Sequence, residues 1–167
     1  GGKSPIIVFE DADIDSAVNG AAGGIFGASG QSCVAGSRLL LHEAIADQFI
    51  EKMQAIAAGI KIGDPMLEQT EMGPLCTFGQ LETIERELAH AKTEGATVIC
   101  GGQRAKAGSD MFFQPTIVAC PSPDLRIVDT ELFGPVVTVL RFKDEADAIR
   151  LANRSEHGLA AVSYTHL

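Results

Sequence analysis

The sequence predicts an α/β fold, an open and mostly parallel twisted sheet with flanking helices. Two observations carry that class. Short apolar runs of strand type alternate along the chain with amphipathic stretches of helical period. The 167 residues also show no linker, internal repeat or low-complexity tract, so they read as one domain large enough to bury a core.

The elements follow in order. Ile6 to Phe9 is an apolar run of buried-strand type, after which Asp11 and Asp13 each offer a helix cap. Ile14, Ala17, Val18, Ala21, Ala22 and Ile25 then fall at helical spacing. Gly20, Gly23 and Gly24 weaken that helix by about 1 kcal/mol each against Ala, so they predict a close neighbour such as another backbone or a ligand. "SRLLLHE" is a short strand. "AIADQFIEKMQAIAAGIKIGDP" is a helix with Ile45, Phe49, Met53, Ile56 and Ile60 on one stripe, ended by Pro65. A turn at Gly73–Pro74 leads into "FGQLETIERELAHAKTEG", with Leu81, Ile84, Leu88 and Ala91 inward and Gly95 closing the helix. "ATVICGG", "FFQPTIVACP" and "GPVVTVLRF" read as strands, with a polar loop "QRAKAGSD" after the first. "DEADAIRLANRS" is a short helix, and "HGLAAV" the last strand.

Composition excludes several roles. A net charge of −9 argues against nucleic acid and anionic membranes as partners, since both need a basic footprint. No apolar run approaches the ~18–20 residues that span a bilayer. The opening "GGKSPIIVFEDAD" has neither an initiator Met nor a basic n-region, so no signal peptide is expected and the chain reads as an internal piece of a longer protein. Cys33, Cys76, Cys100 and Cys120 show no C-x-x-C spacing. Free thiols, a reducing cytoplasmic compartment and no bound metal are therefore expected.

Cys33 stands in "GASGQSCVAGSR", a run with little side-chain bulk. Two readings stay open on the residues alone. Cys33 is a small filler in a tight turn, or it is a nucleophile that backbone N–H groups and a substrate must reach. Cys76, Cys100 and Cys120 lie in or beside apolar segments and read as fillers. None of the four histidines declares itself as a catalytic partner.

The motifs "GGKSPIIVFEDADID", "GQSCVAGSR", "GDP", "GP", "GATVICGG", "QPTIV", "ELFGPVVTV" and "AN…GLAA" together resemble the aldehyde dehydrogenase superfamily, in its order and approximate spacing. The resemblance covers Gly1 to about Ala161 and implies an incomplete catalytic domain of an NAD(P)-dependent enzyme, spanning 1–162. It places Cys33 on the family's nucleophile. Glu131 falls on the glutamate that holds the nicotinamide ribose, Phe133 on the phenylalanine beside the nicotinamide, and Gln80 where some members contact the adenosine ribose. The implied chemistry is oxidation of a small-molecule aldehyde to a carboxylate through a thiohemiacetal and a thioester on Cys33. The cofactor is NAD or NADP, and the full-length parent is a homodimer or homotetramer.

The sequence also departs from the family. The general-base glutamate belongs two positions before Gly1, and the upstream cofactor domain and an oxyanion-hole asparagine are also missing, so the fragment alone is expected to be inactive. The final "SYTHL" resembles a translated sequencing adapter, and 163–167 are expected to be a non-native tail. A coenzyme-A-acylating semialdehyde dehydrogenase and a catalytically silent structural relative are the alternatives. A papain-like protease fits poorly, because Val34 stands where an aromatic is wanted.

Overall fold

The computed structural model describes residues 1–166; Leu167, the end of the expected tail, lies outside the described residues. The strands are β1 (Pro5–Val8), β2 (Arg38–His42), β3 (Thr97–Cys100), β4 (Thr116–Ala119), β5 (Val136–Phe142) and β6 (Val162–Tyr164). They form one sheet in the order β3-β4-β5-β2-β1-β6. Every pairing is parallel except that of β3 with β4. The α/β, mostly parallel class read from the sequence is the class the chain adopts.

Alternation along the strands divides the core between two faces. Leu39 and Leu41 of β2 and Val137 and Val139 of β5 face one side, where α1 (Ile14–Phe26) and α2 (Ala46–Gly59) cover them. Leu40, Val136, Leu140 and Phe142 face the other, under α3 (Phe78–Thr93), α4 (Arg126–Asp129) and α5 (Glu145–Ala152). Phe49 and Met53 of α2 are fully buried, each worth about 1.5–3 kcal/mol against exposure.

Local chemistry explains the helix boundaries. Asp13, one of the two candidate caps, accepts the Ser16 N–H at 2.8 Å. Thr77 caps α3 and Asp144 caps α5 in the same way, accepting from Gln80 and Asp147. Gly95, at φ +94°, closes α3 as expected. The glycines of α1 divide. A side chain at Gly20 would collide with the Tyr164 hydroxyl, Gly24 has only ordinary contact with Ile6, and Gly23 faces open space. Close neighbours thus exist for Gly20 and for Gly24, whose carbonyl accepts the Gly36 backbone N–H at 3.1 Å.

Three expectations are corrected. The second helix ends at Gly59 rather than Pro65: Ile60 is already extended, and Ile62 bridges to Met72. The short helix α4 lies within the segment joining the last two long strands, where none was expected. The final strand is Val162–Tyr164 instead of "HGLAAV", since register with Ile6, Ile7 and Val8 of β1 decides its position. Ser163 and Tyr164, from the expected tail, are two of its residues.

Connections at the carboxyl ends of the strands are short, such as Glu43–Ile45 before α2 and Lys143–Asp144 before α5. Those at the amino ends are long, among them Gly27–Ser37, residues 60–77 and residues 101–115. Among the described residues no helix is long and apolar enough to cross a membrane.

Candidate active site

The turn that carries Cys33 begins where α1 stops. Ala28, Ser29 and Gly30 adopt positive φ in succession, at 49°, 56° and 69°. The first two are not glycines, so this backbone is strained and must be held by its surroundings. Ser29, buried, donates its hydroxyl to the Gly73 carbonyl at 2.9 Å. Gln31 donates through Nε2 to the Pro74 carbonyl at 3.1 Å and accepts the Cys76 N–H on Oε1 at 2.8 Å. Gly30 lies directly against the Gly134 carbonyl, where any Cβ would overlap it and would come within 2.8 Å of the Pro135 nitrogen. Cys33 follows in an exposed turn with Val34, and β2 starts at Arg38.

Glu131 and Phe133 come from the segment between α4 and β5. Glu131 is half-buried rather than a solvated edge charge, and its Oε1 accepts the Gly2 N–H at 2.9 Å. Gly2 also packs on the Cys33 backbone: a Cβ there would stand 2.6 Å from the Cys33 carbonyl oxygen. Cys33 and Glu131 are thus joined through one residue at the amino end of β1. Phe133 is held at φ 53° with its side chain partly exposed, next to the Gly134 that touches Gly30. Glu131 and Phe133 therefore line a small cleft with Gly2, Gly30 and Ser32 at the amino ends of β1, β2 and β5, and Cys33 follows Ser32 just outside that lining.

Gln80 does not join them through any hydrogen bond among the described residues. It sits in the first turn of α3, and its Nε2 is buried without a partner there. A cavity of about 650 Å³ also lies off Cys33; it is lined by Pro65, Pro74, Cys76, Phe78, Met111 and Phe112 among others.

The other cysteines separate by environment. Cys76 is exposed, which corrects its reading as a filler; it follows buried Leu75 at a turn. Cys100 is half-buried and burial pushes its thiol up. Cys120 is buried and burial pushes its thiol up to about 11. No group of three or more His, Cys, Asp and Glu side chains among the described residues could hold a metal ion.

The sequence reading missed two buried cations. Arg38, 1% exposed, donates from Nε to the Lys3 carbonyl at 2.7 Å. Its two terminal nitrogens each donate at 2.9 Å to carbonyls at the end of α5, those of Leu151 and Ala152. Lys3 is 2% exposed with Nζ unpartnered among the described residues, and burial, then Arg38, lowers its pKa to about 8. Arg38 thereby fixes the residue next to Gly2. A charge opening the apolar run "RLLL" was the signal available for it.

Residues 1–166 match the aldehyde dehydrogenase family. The chain is 47% identical over 166 residues to the (Z)-2-((N-methylformamido)methylene)-5-hydroxybutyrolactone dehydrogenase of Acinetobacter baylyi, covering 99% of this chain and 34% of that protein. It is 43% identical to the chloroplastic betaine aldehyde dehydrogenase of Atriplex hortensis, covering 99% and 33%. Among solved structures it superposes on a betaine aldehyde dehydrogenase point mutant from Staphylococcus aureus, in complex with NAD+ and with a BME-modified cysteine. That match has a TM-score of 0.96 and 41% identity, covering 99% of this chain and 34% of the other. The chain spans about a third of the length of the curated relatives it matches.

Proposed function

The chain belongs to the aldehyde dehydrogenase family, and on that premise we propose that the protein carrying it oxidises a small aldehyde to a carboxylate with NAD or NADP. Cys33 is the nucleophile in this reading. The observation that carries it is the exposed Cys33 turn, joined through Gly2 to the Glu131 carboxylate.

The thiolate of Cys33 adds to the aldehyde carbon, forming a C–S bond while the carbonyl electron pair moves onto oxygen. The backbone N–H of Cys33, which donates to no acceptor among the described residues, is free to stabilise that oxyanion. Small neighbours leave room for a substrate carbon and a flat ring at the same sulfur. The residues present fit a nicotinamide cofactor. Glu131 gives only Oε1 to Gly2, which leaves Oε2 for a ribose diol, and the Phe133 ring is accessible beside the turn. When bound, the cofactor accepts the hydride. Cys33 then holds the acyl group as a thioester until water releases the carboxylate. Gln80 is a further candidate cofactor contact, from the first turn of α3. The four unbridged cysteines support a cytoplasmic setting, and a homodimer or homotetramer is the assembly proposed.

The test is made in the full-length protein, following reduced nicotinamide with betaine aldehyde and simple aliphatic aldehydes. Cys33→Ser is expected to bring turnover to background. Glu131→Gln is expected to raise the cofactor KM by about tenfold, for a charge-assisted pair of hydrogen bonds made weaker. Full turnover in Cys33→Ser would end this reading.

A further inference from the structure

We propose that Gln31 is a positioning residue for Cys33, acting through a two-way amide clamp that holds the nucleophile's turn in its strained shape. The inference rests on the reading of Cys33 as nucleophile. Ala28 and Ser29 occupy left-handed backbone without being glycines, and such conformations persist only where the surroundings fix them. The hydrogen bonds that side chains of this turn make all go to one segment, Gly73 to Cys76. That segment is itself anchored: Leu75 is buried, its N–H donates to the Met111 carbonyl at 2.9 Å, and its side chain lies beside Gly134.

Gln31 is two residues before Cys33 and makes two of the three bonds. It donates to the Pro74 carbonyl and accepts from the Cys76 N–H. The chemistry of the clamp selects the residue type. A carboxylate accepts but does not donate, a methionine of similar length does neither, and asparagine is one methylene short. A protonated carboxylic acid, however, has one donor and one acceptor, so it restores both bonds. That gives the clamp a signature that a packing role would not have.

The experiment uses the full-length protein with Gln31→Met and Gln31→Glu. Three quantities are measured from about pH 5 to pH 8: the rate of Cys33 alkylation by iodoacetamide, read on its peptide by mass spectrometry; kcat and KM; and thermal unfolding. Each rate is divided by that of the wild type at the same pH. Gln31→Met is expected to lower kcat about tenfold at every pH with KM little changed, as expected for a misplaced reacting group. Gln31→Glu is expected to approach it near pH 8 and to recover about two- to threefold by pH 5, where a carboxyl of ordinary pKa, about 4.3, is roughly one-sixth protonated, in alkylation and in kcat. A Gln31→Glu ratio that stays flat with pH overturns the proposal, as do wild-type rates in both variants. Loss of folding at high pH in place of a selective loss at Cys33 assigns Gln31 to stability and also overturns it. A wild type that alkylates normally but oxidises no aldehyde fails the functional reading instead, and the alkylation ratio still decides the clamp.

Discussion

Gly2→Ala tests how tightly the site is assembled. Gly2 is buried, its N–H holds Glu131 at 2.9 Å, and its Cα faces the Cys33 carbonyl. A Cβ would stand 2.6 Å from that oxygen, whereas real Cβ contacts begin at 3.0 Å, so the shortfall is 3.0 − 2.6 = 0.4 Å. Leu159 is close as well, with its Cβ and Cδ2 at 3.3 and 3.4 Å, so a shift toward it is resisted. The carbonyl of Cys33 must therefore move, and its peptide plane carries Val34 with it. Overpacking of this kind costs about 1–3 kcal/mol. At about 2–4 °C per kcal/mol for a domain of this size, Tm should fall by roughly 2–12 °C. A misplacement of about 1 Å costs about 10²-fold in rate, so a shift near half that should cost about tenfold in kcat. Differential scanning fluorimetry and steady-state kinetics on the full-length protein give both numbers. Gly23→Ala is the contrast: its Cβ meets open space in mid-helix, and Tm should rise by the equivalent of about 0.5–1 kcal/mol. A Gly2→Ala protein with unchanged Tm and kcat would refute the reasoning.

Three further outcomes are expected. Lys3 is charged in the folded protein only below about pH 8, against 10.5 unfolded, so its burial penalty is present below pH 8 and is relieved as pH rises from 8 to 10.5. Lys3→Met should therefore stabilise by about 3 kcal/mol near pH 7 and by little above pH 10.5, read from urea midpoints; destabilisation at pH 7 would contradict this. Arg38→Ala leaves three carbonyls, two of them in buried bonds, without their side-chain donor and should cost about 3–5 kcal/mol, lowering the urea midpoint; a loss under about 1 kcal/mol would show the clamp on Lys3 and α5 to be dispensable. At pH 8, iodoacetamide should label exposed Cys33 and Cys76 well before buried Cys120, and peptide mapping that finds Cys120 first would sink the assignment.

Much of the frame was legible because local signals agreed with the fold. The period of Leu81, Ile84, Leu88 and Ala91, with Gly95 after it, left little freedom in α3. Asp13 could be named as one of two caps because capping is a contact within a few residues. What escaped was decided by distant partners. The last strand is fixed by its pairing with β1, and nothing in "HGLAAV" shows where that register falls. The end of α2 is set by the bridge from Ile62 to Met72. In the site, Cys33 stood out through its small neighbours. The half-burial of Glu131 did not, because it depends on an N–H 129 positions away in the chain. Gln31 lay in plain view inside "GQSC", but its clamp reaches across 43 and 45 positions.

The site sits at the amino ends of the strands, where the connections are long, while the carboxyl ends are joined by as few as two residues. This asymmetry divides the molecule into parts with different tolerance to remodelling. A residue inserted between Lys143 and Asp144 has almost no slack to absorb it, and a phase error there would turn α5 by about 100° and bring its polar side toward the sheet. Insertions in residues 101–115, or in 60–77 outside the Gly73–Cys76 segment that holds the Cys33 turn, can be taken up locally, with the registers of β4, β5 and β2 untouched. Redesign of the proposed site should therefore proceed by exchanging loops at one end of a sheet that never has to be re-registered.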